Sequence, residues 1–249
     1  MFILRKEYIL KVNEAYLKNE LRFKWIEFYK KNCKIKKNLL FLHGNSCDPG
    51  EIFGLRREFL KYSYQKFADP VGFILSDYNT RIILPIKFDL YFTNNFHKAS
   101  LELNNKGLNI NFIEQIKILA LKKYFKKNIS LFGFSHGAWQ SLISSQISKF
   151  DNLIYFDFLV NPIKFNLKRG FYKDFKFGFK NLFNYAKAFK HSKSKKIILM
   201  IGKKSPIYDK KFVNYTLNKI KRKNLTVKYF DDKHYISLNT IKKYLLDEK

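Results

Sequence analysis

Gly133-Phe134-Ser135-His136-Gly137 follows a short apolar run, Ile129 to Phe132, and leads into Ala138-Trp139-Gln140-Ser141-Leu142, which reads as a helix. A serine on a sharp strand-to-helix turn sits in a strained backbone conformation, and flanking glycines remove the Cβ atoms that would clash there. Its hydroxyl can attack a carbonyl carbon, and the positive end of the following helix favours the negative charge that develops. Alone, the pattern also fits an ordinary glycine-bordered turn, so three other features matter. His43-Gly44-Asn45 follows the apolar run Lys37 to Leu42, so its loop can aim the Asn45 N–H at a forming oxyanion, with the His136 N–H as second donor. His234, in Asp231-Asp232-Lys233-His234-Tyr235, comes just after the run Leu225 to Phe230, where a general base can reach the serine from a loop. These elements occur in the chain order oxyanion loop, nucleophile, acid, base.

The elements that must hold these residues are short β-rich runs alternating with segments of helical period, the pattern of a mostly parallel sheet. Phe2 to Val12 and Asn19 to Phe28 read as two strands meeting at a turn, an antiparallel start. Strands are expected at Lys37–Leu42, Arg81–Phe88, Ile129–Phe132, Asn152–Val160, Lys196–Ile201 and Leu225–Phe230. Helices are expected over Glu51–Phe67, over Asn111–Phe125 with Ile113, Ile116, Ala120 and Tyr124 on one face, and from Leu238 onward. With no internal repeat and no linker composition, residues 1–249 are expected to form a single domain.

LLFLHG at 39–44, GFSHG at 133–137, IILMIG at 197–202 and the terminal His234 together resemble the α/β-hydrolase superfamily, over most of the chain. The resemblance implies an α/β fold with an eight-stranded, mainly parallel sheet flanked by helices. It also implies a Ser-His-acid site with Ser135 as nucleophile and His234 as base. The implied chemistry is transfer of an acyl group to water through an acyl-serine, on a carboxylic ester or a thioester. The alternative is a hydrolase-fold protein with weak or no turnover that serves as a binding module.

The acid departs from the superfamily pattern. Members often place an aspartate three residues after the glycine that closes the strand, but Gly202-Lys203-Lys204-Ser205 puts serine there. Asp209 is the expected acid if its loop bends back toward His234, and its competing role is the N-cap of a helix beginning near Lys210. Asp157 on the preceding strand is the alternative, and Asp231 or Asp232 could orient His234 locally. The remaining histidines, His97 and His191, read as solvated or partly packed, and Cys47 lacks the strand-to-helix setting a thiol nucleophile needs.

Residues 163–196 fall where α/β-hydrolases commonly insert a cap over the site. They carry 11 Lys/Arg, nine aromatics and one acid, and Phe175, Phe179, Leu182, Phe183, Ala186 and Phe189 share one helical face while Lys173, Lys176, Lys180, Lys187 and Lys190 occupy much of the remainder. Phe175, Phe179 and Phe183 are the expected roof of an acyl-chain pocket. The basic face either is simply solvated or docks on an anionic membrane surface or an acidic partner protein. Nucleic acid ranks behind these, because the aromatics fit a buried face better than a stacking platform.

The 249 residues, 46% hydrophobic and 18% aromatic, make a globular chain with a sizeable core rather than a disordered or fibrous one. Lys+Arg 49 against Asp+Glu 20 gives 49 − 20 = +29, which either follows from AT-rich codon choice or marks an acidic partner. The two cysteines, Cys33 and Cys47, match neither a disulfide framework nor a zinc spacing, and no glycine fingerprint of a dinucleotide site occurs, so no metal and no cofactor are expected. No apolar run approaches the roughly 20 residues of a membrane span, and the expected location is cytoplasmic, free or peripheral at the inner face of the membrane.

Overall fold

The computed structural model describes residues 8–16, 22–42, 79–85, 110–126, 129–134, 136–156, 159, 185–220 and 222–231. Eight strands form one sheet: β1 Tyr8–Tyr16, β2 Arg22–Lys30, β3 Lys37–Leu42, β4 Thr80–Pro85, β5 Ile129–Phe134, β6 Asn152–Phe156, β7 Lys196–Gly202 and β8 Leu225–Phe230. Four described helices join them: α1 Ile110–Phe125, α2 His136–Ile147, α3 Tyr185–His191 and α4 Lys210–Lys219. The spatial order is β1-β2-β4-β3-β5-β6-β7-β8. β2 runs antiparallel to both its neighbours, and from β4 across to β8 every pairing is parallel.

The composition of the strands accounts for this arrangement. KNLLFL, TRIILP, ISLFGF, NLIYF and KIILMIG are nearly unbroken apolar runs, as strands covered on both faces require, and their last four or more residues are all buried. Leu40, Leu131, Tyr155 and Leu199 point into one core layer that also takes Ile118 and Leu121 of α1, Ala138 and Leu142 of α2, Ala188 and Phe189 of α3, and Val213 of α4. On alternate positions Phe41, Phe132 and Phe156 form an aromatic row on the other face, with centroids 5.1 Å and 5.9 Å apart. The edge strand β8 is half-exposed along most of its length.

The expected strand order holds, with β1 running on to Tyr16 rather than stopping at Val12 so that it pairs with the whole of β2. The expected helices over 51–67 and from Leu238 lie outside the described residues. The face of α1 differs from expectation. Tyr124 is 60% exposed, Ile116 and Ala120 are only partly covered, and the buried stripe is Ile113, Lys117, Ile118 and Leu121. The helix is apolar on more than one side, so periodicity alone does not settle which side turns inward. Rotation onto this stripe is permitted because Lys117, 0% exposed, meets the buried Glu114 at 2.9 Å one turn away.

A second buried charge sits near the opposite edge. The Glu27 carboxylate accepts from Trp25 Nε1 at 3.1 Å and Asn13 Nδ2 at 2.9 Å and pairs with Arg81 at 3.3 Å. The Arg81 guanidinium lies between the rings of Tyr29 and Phe125. This network links β1, β2, β4 and α1, so each charge buried there has partners.

Part of the 163–196 stretch belongs to the body of the domain. α3 packs Tyr185 edge-on to Trp139 of α2 at 5.9 Å and Phe189 edge-on to Tyr155 at 5.8 Å, with Lys187 and Lys190 outward. Lys196 already opens β7. Residues 163–184, including Phe175, Phe179 and Phe183, lie outside the described residues.

Breaking one buried charge pair tests this packing. Lys117→Met, which leaves Glu114 buried without its lysine, is expected to lower unfolding free energy by about 3–5 kcal/mol in urea titrations. The double variant Glu114→Met/Lys117→Met is expected to recover a substantial part of that loss.

Candidate active site

β5 ends at Phe134 and α2 begins at His136, which leaves a single residue, 135, to turn the chain from strand into helix. Ser135 itself lies outside the described residues. The packing on either side shows why the turn needs glycine. A Cβ built on Gly133 would stand 2.4 Å from Ala138 Cα, 2.7 Å from Ala138 N and 2.7 Å from Ser141 Oγ. The first two atoms are backbone and cannot move aside, so the strand and helix approach this closely only with hydrogen at position 133. Ser141 Oγ donates to the Gly137 carbonyl at 2.8 Å, which secures the first turn of α2. The helix N-terminus leaves its first N–H groups without intrahelical partners and directs its positive end at the turn.

The parallel sheet gathers the other exits on the same edge. In register, Leu42 pairs with Gly133, Phe134 with Phe156, Phe156 with Met200, and Gly202 with Phe230. The chain therefore leaves β3, β5, β6, β7 and β8 side by side, in that spatial order, at the carboxyl ends of the strands where open α/β sheets bind ligands. Asn45 follows the exit of β3, the strand beside β5. Asp157 follows β6 directly, and Asp232 and His234 follow β8. These four residues lie outside the described residues. Asp231 is exposed at the end of β8.

Ser205 and Asp209, after β7, are described in full. Ser205 N–H donates to the Gly202 carbonyl at 3.1 Å, and its Oγ accepts from Ile207 N at 3.3 Å. At 6% exposure, Ser205 serves the turn rather than filling a carboxylate's place. Asp209 is the N-cap of α4, with extended backbone (φ −126°, ψ 104°) and a carboxylate that accepts from Phe212 N at 3.1 Å. One N–H does not exhaust a carboxylate's acceptor capacity, so capping and orienting an imidazole are chemically compatible. Lys203 N–H donates to the Phe230 carbonyl at 2.7 Å, which pins the β7 exit to the β8 exit. Tyr208 lies close enough to Tyr229 to help burial push that phenol upward, burial being the larger cause. The exit of β7, which leads to Asp209, is thus bonded to the exit of β8, which leads to His234 in the sequence.

Among the described residues no group of three or more His, Cys, Asp or Glu could hold a metal ion, and no helix is long and apolar enough to cross a membrane. Cys33, partly buried, and His191, exposed, lie near the opposite edge, and Cys47 and His97 are outside the described residues. Gln140 was not singled out by the sequence, yet it is buried on α2 five residues after Ser135 with neither amide atom hydrogen-bonded. Its position in an apparently ordinary helical stretch carried no signal.

No protein-family model matches the sequence, and no curated protein matches it significantly. Solved structures do match. A dienelactone hydrolase from Anabaena variabilis is similar over 97% of this chain and 96% of its own, at 11% identity and a TM-score of 0.60. A cold-adapted esterase from an Arctic intertidal metagenomic library covers 96% and 95% at 8% identity, with a TM-score of 0.61. An esterase of Pyrococcus furiosus covers 96% and 88% at 14% identity, with a TM-score of 0.59. Together with the strand order and the strand-turn-helix at 129–147, the likeness establishes that the chain has the α/β-hydrolase fold.

Gly133→Ala is expected to destabilise the protein by about 3 kcal/mol, the upper end of the usual cost of overpacking, because backbone would have to separate to admit the methyl group. A thermal melt followed by circular dichroism checks this, and Gly137→Ala offers a neighbouring comparison.

Proposed function

We propose that the protein is a serine hydrolase that cleaves a carboxylic ester or thioester through an acyl-serine intermediate. The observation that carries this reading is the close packing of Gly133 against Ala138, which builds a one-residue strand-to-helix turn at the position of a serine. Structural similarity to an esterase and a dienelactone hydrolase supports ester-type substrates. In this reading Ser135 Oγ attacks the acyl carbon while His234 takes its proton. The leaving alcohol or thiol departs with that proton, and His234 then deprotonates the water that releases the acid. The Asn45 and His136 N–H groups hold the oxyanion, each worth roughly 2.7–4 kcal/mol at comparable sites.

Chain length is compatible with assembling these parts. Adjacent strands stand about 4.8 Å apart, so β5 and β8 are separated by about 14 Å. Residues 231–234 can span up to about 13–14 Å, and the imidazole's own length adds to that reach. Asp209 is assigned as the acid that orients His234, in addition to capping α4. Phe175, Phe179 and Phe183 are assigned to the acyl-chain side of the pocket, and no cofactor enters the reaction.

A second reading, a hydrolase-fold binding module with little turnover, draws on the engagement of Asp209 as a helix cap and on the turn role of Ser205. Hydrolysis of p-nitrophenyl and thioester substrates of graded chain length separates the two. Ser135→Ala is expected to lower kcat/KM at least 1,000-fold with the fold unchanged, as for loss of a triad nucleophile. Asp209→Asn keeps a capping oxygen but removes the charge, and is expected to lower kcat by about 10-fold or more while shifting stability by less than about 1 kcal/mol. No measurable turnover in folded wild type across the panel would favour the binding module.

A further inference from the structure

Among the described residues, the edge of the sheet opposite the candidate site carries most of the exposed lysines. The strands of the parallel region start there, β2 ends there, and α1 to α4 all finish there. Backbone hydrogen bonds fasten the connecting segments into one continuous rim: Lys36 N to Asn79 O, Asp151 N to Ile129 O, Lys193 N to Ser145 O, and Ile197 N to Asn224 O. Across the described residues of segments 30–37, 122–126, 147–151, 190–196 and 219–225, twelve lysines are exposed. The one acid among those residues is Asp151, which Lys195 pairs at 2.8 Å. Seven strands stand side by side from β2 to β8, so the rim extends about 29 Å.

We infer that this lysine rim docks the protein on an anionic phospholipid membrane, with the candidate active site turned away toward the aqueous phase. Three observations favour a bilayer over other anions. The charges are spread over a broad edge as flexible ammonium groups, which suits a diffuse negative surface. The arginine described in these segments is not offered outward: Arg222 donates to the Phe189 and Ser192 carbonyls and to Asn224 Oδ1, so the rim lacks its fork for bidentate phosphate recognition. Ile147 at the end of α2 and Tyr124 near the end of α1 are 55% and 60% exposed among the lysines, an apolar and an amphipathic side chain suited to the headgroup boundary.

The docking surface is independent of the hydrolase reading, and only the outward-facing orientation of the reaction rests on it. That orientation implies a substrate delivered from solution rather than a lipid drawn from the bilayer beneath.

Flotation of the intact chain with phosphatidylglycerol-containing vesicles, and with pure phosphatidylcholine vesicles, tests the inference at physiological salt, where exposed charges farther apart than about 8 Å are largely screened. Wild type is expected to float with the anionic vesicles and not with the neutral ones. Changing Lys34, Lys123, Lys149 and Lys223 together to Glu is expected to lower partitioning at least tenfold. The same charge change on the other edge, at Lys203, Lys204, Lys210 and Lys211, is expected to lower it less than threefold. Ile147→Ser leaves every charge in place and is expected to weaken binding severalfold, which adsorption of a soluble polyanion would not register. Equal losses from both quadruple variants would overturn the inference, because binding would then follow net charge rather than the rim. Failure to float while the protein is retained by duplex nucleic acid or an immobilised acidic protein would also overturn it, in favour of that partner.

Discussion

The approach of β5 to α2 is the contact on which the candidate site depends. Hydrogen at Gly133 lets Ala138 Cα come so near the strand that a methyl group there would lie 2.4 Å from it. Because the helix presses directly against the strand end, a single residue must reverse the chain between them, and α2 points its unsatisfied N–H groups at that residue. A larger side chain at 133 would lift the helix, lengthen the turn and move the helix dipole away.

The rest of the fold supplies what that turn needs nearby. Parallel strands bring chain exits that are distant in sequence onto one edge, and the Lys203–Phe230 backbone bond joins the two exits nearest the expected acid and base. Among the described residues, buried charge is matched in the Glu27–Trp25–Asn13–Arg81 network, and two buried hydroxyls meet in the Ser145–Ser192 contact at 2.8 Å. Gln140 on the helix that carries the turn is buried with neither amide atom hydrogen-bonded, and Arg81 Nε, Ser144 Oγ and Ser194 Oγ are buried without a hydrogen bond as well.

Much of this was legible in the sequence because parallel strands advertise themselves. Runs such as KIILMIG are apolar at consecutive positions, and the G-x-S-x-G segment falls between one such run and a helical one. The inward face of α1 was not legible, since periodicity favours the stripe ending at Tyr124 and a lysine and glutamate are assumed to face water until a structure pairs them. The sequence offered Asp209 as triad acid or as helix cap, and the structure records the cap. The lysine rim was visible only as net charge: its members come from five separated segments, and the sheet topology is what collects them.

Among the described residues, the lysine rim and the candidate site are thus on opposite edges of one sheet, an arrangement that composition cannot express. The central claim concerns the chemical edge, and it is tested most directly by treating the folded protein with a fluorophosphonate probe and locating the adduct by peptide mass spectrometry. The account predicts a single adduct on Ser135, lost in His234→Ala because the hydroxyl is no longer activated. An adduct on another residue, or none on the folded wild type, would contradict it.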